Sequence, residues 1–154
     1  MAKHVVLDTN LALLFAVGAT DRKYVARHKR LGAYEVADYD LIFGLLDASA
    51  GIILCPNVVS ETSNLIRYGP EPERTHVASF FAELVKKTRE DYVRSAVAVD
   101  HRSYRNLGVT DSVLLSLAAG GAVLLTDDLD LYLAALRAEI DVVNFTHERA
   151  KRLY

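Results

Sequence analysis

Short apolar runs alternate along the chain with longer segments whose apolar residues recur every three or four positions. The runs lie at 5–7, 52–54, 122–125 and 141–145, and each is flanked by glycine or polar residues. Such runs are typical of strands buried on both faces of a sheet. Strands that alternate with helices favour a parallel sheet. The pattern therefore predicts an α/β fold, a three-layer α/β/α sandwich with a central parallel sheet.

The segments between the strands carry a helical pattern. A helix starting at Leu11 is expected to break at 18–21, and Thr110 is expected to be the N-cap of the helix at 111–119. Residues 92–97 fit either a strand or the start of a helix. The other predicted helices lie at 36–49, 56–66, 77–87, 101–106, 129–137 and 147–154. We expect one domain over residues 1–154, with a longer basic and helical insertion at about 18–50.

Composition narrows the class of protein. The chain has 154 residues, of which 51% are hydrophobic and 25% charged, as in globular domains. Its net charge of −2 excludes a global basic field, so any contact with nucleic acid must be local. The single cysteine, Cys55, excludes an internal disulfide and suits a reducing, cytoplasmic location. No signal peptide is expected, and the apolar stretch at 113–125 is too short and interrupted to span a membrane.

Four acidic residues stand out because their neighbours are apolar. Asp8 ends the first strand and Asp128 follows the third, whereas Glu61 and Asp111 lie on predicted helices. On a helical wheel Asp111 falls within roughly 40° of Leu115 and Ala118, which places it on the inward side. Each acid alone also has a simpler explanation: Asp8 as a helix cap, Asp111 as a first-turn acid, Asp128 as part of a polar turn, and Glu61 as a partly exposed residue at the edge of an apolar stripe.

The four acids are expected to meet at one place. Strand ends and helix starts in a parallel sheet point to its carboxyl edge, which is where such folds bind ligands. Carboxylates that converge there repel one another unless a cation neutralises them. All-oxygen ligands suit Mg²⁺ or Mn²⁺.

Four motifs carry a resemblance to a known family. Residues 8–10, 56–65, 110–111 and 126–130 resemble, in order and context, the motifs of the PIN domain, and the likeness covers residues 5 to about 145. The resemblance implies a Mg²⁺- or Mn²⁺-dependent endoribonuclease, with the VapC-like toxins of bacteria and archaea among its relatives. It also implies an RNA substrate, and it raises the prospects of an antitoxin partner and a homodimer. The insertion at 18–50 is longer than in the compact toxins.

The resemblance also assigns residues. It makes Asp8, Glu61, Asp111 and Asp128 the catalytic, metal-binding quartet, with Asn10 and Thr126 as supporting polar residues. The spacing after Thr126 selects Asp128 over Asp127 as the last acid, and Asp130 is a candidate ligand for a second ion.

The most basic segment is a candidate for substrate binding. Its charges could form a phosphate-binding rim, with Tyr24 available for stacking on a base, or simply a solvated basic surface. The basic residues are Arg22, Lys23, Arg27, Lys29 and Arg30. Two other functions compete with the nuclease: a non-catalytic PIN-like module that binds RNA or protein, and a phosphatase with an aspartyl nucleophile.

Overall fold

The computed structural model describes residues 2–152 and places five parallel strands in one sheet, in the order β3-β2-β1-β4-β5. Helices flank the sheet on both faces, so the predicted three-layer α/β/α architecture is confirmed. The strands are β1 Val5–Leu7, β2 Ile52–Leu54, β3 Arg89–Glu90, β4 Val123–Thr126 and β5 Val142–Asn144.

The central strand is the most apolar part of the sheet. All three residues of β1 are buried, because the strand has β2 on one side and β4 on the other and helices above and below. Val6 is in register with Ile53 of β2 and Leu124 of β4. The parallel register brings the carboxyl ends of these strands to one edge of the sheet.

Nine α-helices lie within residues 2–152; eight lie between strands, and α9 follows β5. Helix α1 packs against α2, α3 and α4, whereas α7 packs against β1 and β4 and against α5 and α6. The helices are α1 Thr9–Thr20, α2 Val36–Asp47, α3 Pro56–Ile66, α4 Glu73–Lys87, α5 Ser95–Ala98, α6 Tyr104–Leu107, α7 Val109–Ala119, α8 Leu129–Arg137 and α9 Phe145–Lys151. Two short 3₁₀ helices, Arg22–Arg27 and Lys29–Leu31, lie between α1 and α2.

The expected break at 18–21 falls at the end of that range, because α1 continues through Gly18 to Thr20 and Asp21 is its C-cap. Gly18 is buried, and a Cβ atom added there would come within 2.2 Å of Cδ2 of Tyr39. The glycine therefore permits close packing of the Tyr39 ring from α2 rather than ending the helix.

Strand β3 was not expected from the sequence. Its two residues, Arg89 and Glu90, are exposed at the edge of the sheet and carry no apolar run. The neighbouring segment at 92–97, left open between strand and helix, is irregular at first and then becomes α5.

Several helix ends also differ from expectation: α4 begins at Glu73 rather than at 77, and α6 begins at Tyr104 rather than at 101. Helix α7 begins at Val109, after Gly108 with φ of 88°, so Thr110 lies inside the first turn and is not the N-cap. The last helix begins at Phe145 rather than at 147, and residues 153 and 154 of its predicted range lie outside the described residues.

The insertion is anchored to the end of the chain by a buried carboxylate. Asp38 of α2 is completely buried and accepts hydrogen bonds from Arg149, at 2.9 Å, and from Arg152. Its second oxygen accepts the backbone N–H of Glu35 at 2.7 Å. None of the helices within residues 2–152 combines the length and apolar character needed to cross a bilayer.

Candidate active site

Asp8 lies at the carboxyl end of β1 and is 7% exposed. One of its oxygens accepts the backbone N–H of Leu11 at 3.1 Å and so caps α1. The other accepts the hydroxyl of Thr126 and the backbone N–H of Asp127 at 3.2 Å. Asp8 and Thr126, the expected first acid and supporting polar residue, are therefore in direct contact across adjacent strands.

Glu61 joins two further motifs. It is exposed on α3, whereas its neighbour Thr62 is buried. Its Oε2 accepts the hydroxyl of Thr9 at 2.7 Å, and its Oε1 accepts the hydroxyl of Thr110 at 2.7 Å. Because Thr9 follows Asp8 and Thr110 precedes Asp111, these two hydrogen bonds hold Glu61 between the first and third motifs.

Asp111 lies in the first turn of α7 and is partly buried. Burial, followed by repulsion from Asp128 and Glu61, raises the pKa of its carboxyl group to about 6. This repulsion acts because Asp128 and Glu61 each lie within electrostatic reach of Asp111. The structure thus places Asp111 near two of the other predicted acids.

The carboxyl groups at the strand ends repel one another as well. Burial, followed by the charge of Asp127, raises the pKa of Asp8 to about 7, although three hydrogen bonds to its carboxylate oppose the shift. Burial and the neighbouring Asp128 also raise the pKa of Asp127, and Arg149 partly offsets the shift. No ion pair within residues 2–152 includes a member of the quartet.

Asp127 and Asp128 have different partners. The hydroxyl of Tyr34, a buried residue of the insertion, donates to the carboxylate of Asp127. Asp128 is exposed, caps α8 by accepting the N–H of Leu131 at 3.1 Å, and donates its own N–H to Thr126 at 3.0 Å. The side chain of Asp128 therefore remains open to solvent while that of Asp127 is covered by the insertion.

Asp130 and Asn10 lie apart from these contacts. Asp130 is exposed in the first turn of α8 and lines a cleft of about 920 Å³ with Arg102, Asn106 and Arg137. Asn10 is exposed in the first turn of α1, and no side-chain hydrogen bond found within residues 2–152 involves it.

The basic segment divides into two parts. In the first part the side chains are paired within the chain: Arg22 with Asp40 at 2.7 Å, Arg27 with Glu73 at 3.2 Å, Lys23 with Asp21 at 3.8 Å, and Tyr24 with His76 at 2.8 Å. In the second part, Lys29 and Arg30 lie over the ring of Tyr68 instead.

The donor chemistry of the acidic site suits a hard cation. Within the described part of the chain, no three Asp, Glu, His or Cys side chains form a ready-made ligand group. Mg²⁺, however, is commonly held by one or two protein carboxylates together with waters and substrate phosphates. Asp8 retains one lone pair beyond its three hydrogen bonds, on the oxygen that accepts from Leu11, and one oxygen of Asp128 is not used in capping α8.

Sequence reasoning missed three residues that shape the site. The sequence includes Thr9 only as part of the motif at 8–10, predicts Thr110 as an N-cap, and predicts no role for Tyr34. Each of the two threonines is adjacent to a predicted acid, in Asp8-Thr9 and in Thr110-Asp111, and this adjacency is the sequence feature that points to them. Nothing near Tyr34 in sequence points to Asp127, which is 93 residues away.

Comparison of the chain with family models and with characterised proteins finds no match. The likeness to the PIN domain therefore depends on the four motifs and remains a prediction.

Proposed function

We propose that the protein is a metal-dependent endoribonuclease that hydrolyses RNA phosphodiester bonds. The observation that carries the proposal is the pair of hydrogen bonds that Thr9 and Thr110 donate to Glu61. They bring together three acidic motifs that the sequence separates by about fifty residues each.

The raised pKa values of two carboxyl groups support a divalent cation as part of the active site. The pKa values of Asp8 and Asp111 are raised to about 7 and about 6, since burial and neighbouring carboxylates disfavour their charged forms. A bound Mg²⁺ or Mn²⁺ would supply neutralising charge, a more acidic water and stabilisation of the phosphate oxygens. Asp8, Asp111 and Asp128 are the residues proposed to hold it.

Glu61 is the proposed proton acceptor. Each of its oxygens accepts one threonine hydroxyl, which fixes the carboxylate plane and leaves a lone pair on each oxygen for a water proton. No histidine within residues 2–152 hydrogen-bonds to the quartet, so the proposed chemistry uses carboxylates alone.

RNA as substrate, and a toxin restrained by an antitoxin as the biological setting, are proposed from the resemblance of the four motifs to the PIN domain. A homodimer and a cytoplasmic location are proposed on the same ground. The non-catalytic RNA- or protein-binding module is the alternative that the test below addresses.

The test is cleavage of end-labelled single-stranded RNA in Mg²⁺, Mn²⁺ or EDTA, with the wild-type protein and the variants Asp8→Asn and Asp47→Asn. Asp47 ends α2 near the start of β2, at the opposite edge of the sheet, and is the matched control. We expect cleavage that requires the metal, is lost in Asp8→Asn and is kept in Asp47→Asn. Absence of both cleavage and calorimetric metal binding would favour the non-catalytic module.

A further inference from the structure

A cationic cluster surrounds an exposed tyrosine just beyond the end of α3. Tyr68 is 45% exposed, and the guanidinium carbon of Arg30 lies 4.2 Å from the centroid of its ring. Nζ of Lys29 lies 5.3 Å from the same centroid. We use the name Tyr68 cluster for these residues together with those that line the adjoining groove: Lys29, Arg30, Asn64, Arg67, Tyr68 and Arg74.

The cluster is strongly positive in a protein whose net charge is −2. Asn64, Arg67, Tyr68 and Arg74 line a groove of about 480 Å³. Four cationic side chains belong to the cluster, and the carboxylate that pairs with one of them is Glu71, at 2.8 Å from Arg74. The groove therefore attracts anions, in contrast to the acidic edge of the sheet.

Two members of the cluster, Asn64 and Tyr68, extend the side of α3 that carries Glu61. Asn64 and Tyr68 follow Glu61 by three and seven residues, spacings that put side chains on one side of a helix. Tyr68 continues the helical turn by donating its N–H to Leu65 at 3.1 Å. Two helical turns separate Tyr68 from Glu61 by about 10 Å along the axis.

We infer that the Tyr68 cluster binds an unpaired segment of the RNA substrate, with a base stacked on the face of the Tyr68 ring that Arg30 does not cover and the phosphates held by Arg67, Lys29 and Arg30. An exposed aromatic ring within a cationic groove is the combination that single-stranded nucleic acids use, because every base has a flat face and every nucleotide a charge. Duplex RNA is excluded from such stacking, since its bases are already paired and stacked.

The inference depends on the proposed function for its choice of RNA, and it explains how an acidic site retains a polyanion. The cluster holds the strand at the end of α3, and Asn64 is the member of the cluster that follows Glu61 by one helical turn. The paired part of the basic segment, with Arg22 and Arg27, is not needed for this contact.

The test is equilibrium binding of a fluorescein-labelled ten-nucleotide single-stranded RNA, followed by anisotropy in EDTA so that neither metal nor hydrolysis contributes. Tyr68→Leu is expected to weaken binding about fivefold or more, and Tyr68→Phe to preserve it. Arg67→Ala is expected to lower the slope of log affinity against log salt by about 0.7. Lys87→Ala, at the end of α4 just before β3 and thus at the amino edge of the sheet, is the charge-matched control.

The outcomes separate this inference from the nuclease itself. Wild-type affinity in Tyr68→Leu, with its thermal melt unchanged, overturns the inference even when the protein cleaves RNA. Weaker binding in Tyr68→Leu supports the inference even when no cleavage occurs. Equal affinity for a duplex of the same length would mean that binding depends on charge alone, as would equal losses of affinity in Lys87→Ala and Arg67→Ala. Either result also overturns the inference.

Discussion

The hydroxyl of Thr9 donates a hydrogen bond to Oε2 of Glu61 at 2.7 Å, across 52 residues of sequence. Thr110 donates to the other oxygen of the same carboxylate at the same distance. Glu61 is exposed and has no ion-pair partner within residues 2–152. Its orientation therefore depends on two neutral hydroxyl groups that flank Asp8 and Asp111 in sequence.

Removing one of these hydroxyls should impair turnover more than substrate binding. Valine is nearly isosteric with threonine, so Thr110→Val removes the donor to Glu61 with little change in packing. We expect kcat for RNA cleavage to fall about tenfold with KM changed less than twofold, as for residues that orient ligands. Steady-state kinetics at saturating Mg²⁺ measures both, and Thr110→Ser should restore kcat.

Thr20→Val is the control for this substitution. The hydroxyl of Thr20 donates to the carbonyl of Ala16 at 2.8 Å, at the end of α1 remote from Glu61. Its kcat should equal that of the wild type. A loss in Thr110→Val that Thr110→Ser does not restore would show that the hydroxyl is not what matters.

The raised pKa of Asp111 predicts a pH-dependent gain of stability in Asp111→Asn. The folded state holds the proton of Asp111 up to about pH 6, whereas the pKa of a free aspartate is 3.8. The stability conferred by the protonated carboxyl group is thus full below pH 3.8 and is lost as the pH rises through 6. Because Asp111 is only partly buried, we expect a gain of about 1 kcal/mol for the variant at pH 8, which corresponds to about 2–4 °C in Tm.

Thermal melts in EDTA at pH 4 and pH 8 measure this effect. At pH 4 the wild type and Asp111→Asn should melt within about a degree of each other, because both side chains are neutral. A difference of equal size at both pH values would mean that packing rather than charge separates the two proteins.

The central strands and the acids that follow them were predictable because both signals are local. Val5–Leu7 is a continuous buried run that ends in Asp8, and Val123–Thr126 is followed by two acids in the same way. The apolar pattern on α7 likewise placed Asp111 on the inward side of its helix. In a parallel sheet these positions meet at one edge, so three of the four acids could be placed from the sequence.

Other features could not be predicted, since they depend on contacts between distant segments. Gly18 appears in sequence as a helix breaker, but it serves the packing of Tyr39 against α1. Edge strand β3 is exposed and pairs only through its backbone, so no apolar run marks it. The five basic residues at 22–30 form one charge run in sequence, and only the fold pairs Arg22 and Arg27 with acids while placing Arg30 on Tyr68.

Metal binding should stabilise the protein more at high pH than at low pH. Mg²⁺ must displace protons from Asp8 and Asp111, whose pKa values of about 7 and about 6 leave both groups largely protonated at pH 5. We expect 10 mM Mg²⁺ to raise Tm at pH 8 and to have little effect at pH 5. Differential scanning calorimetry with and without the metal measures the shift.

Asp8→Asn tests whether this stabilisation comes from the acidic site. The variant should lose the Mg²⁺-dependent shift in Tm at pH 8, whereas Asp47→Asn at the other edge of the sheet should keep it. An equal shift in wild type and Asp8→Asn would place the bound metal elsewhere on the protein.

The buried ion pair of the insertion should matter for stability. Asp38→Ala leaves Arg149 and Arg152 without their shared carboxylate and removes the acceptor for the N–H of Glu35. We expect a loss of about 2–4 kcal/mol in the free energy of unfolding, or about 5–10 °C in Tm. Asp40→Ala, two residues along the same helix, removes an exposed pair with Arg22 and should cost less than about 1 kcal/mol. Equal losses in the two variants would contradict a special role for burial at Asp38.

Asp127 and Asp128 are adjacent acids whose substitution should have different consequences. Asn keeps an acceptor oxygen in either position, so Asp127→Asn can still accept the Tyr34 hydroxyl and Asp128→Asn can still cap α8. Asp128 is exposed, its charge raises the pKa of Asp111, and it is the proposed metal ligand. Its substitution should therefore lower kcat by about 100-fold or more. Asp127→Asn should retain activity within about tenfold, because its carboxylate is covered by the insertion. Single-turnover cleavage of labelled RNA compares the two variants directly, and a larger loss in Asp127→Asn would make Asp127 the last acid of the site.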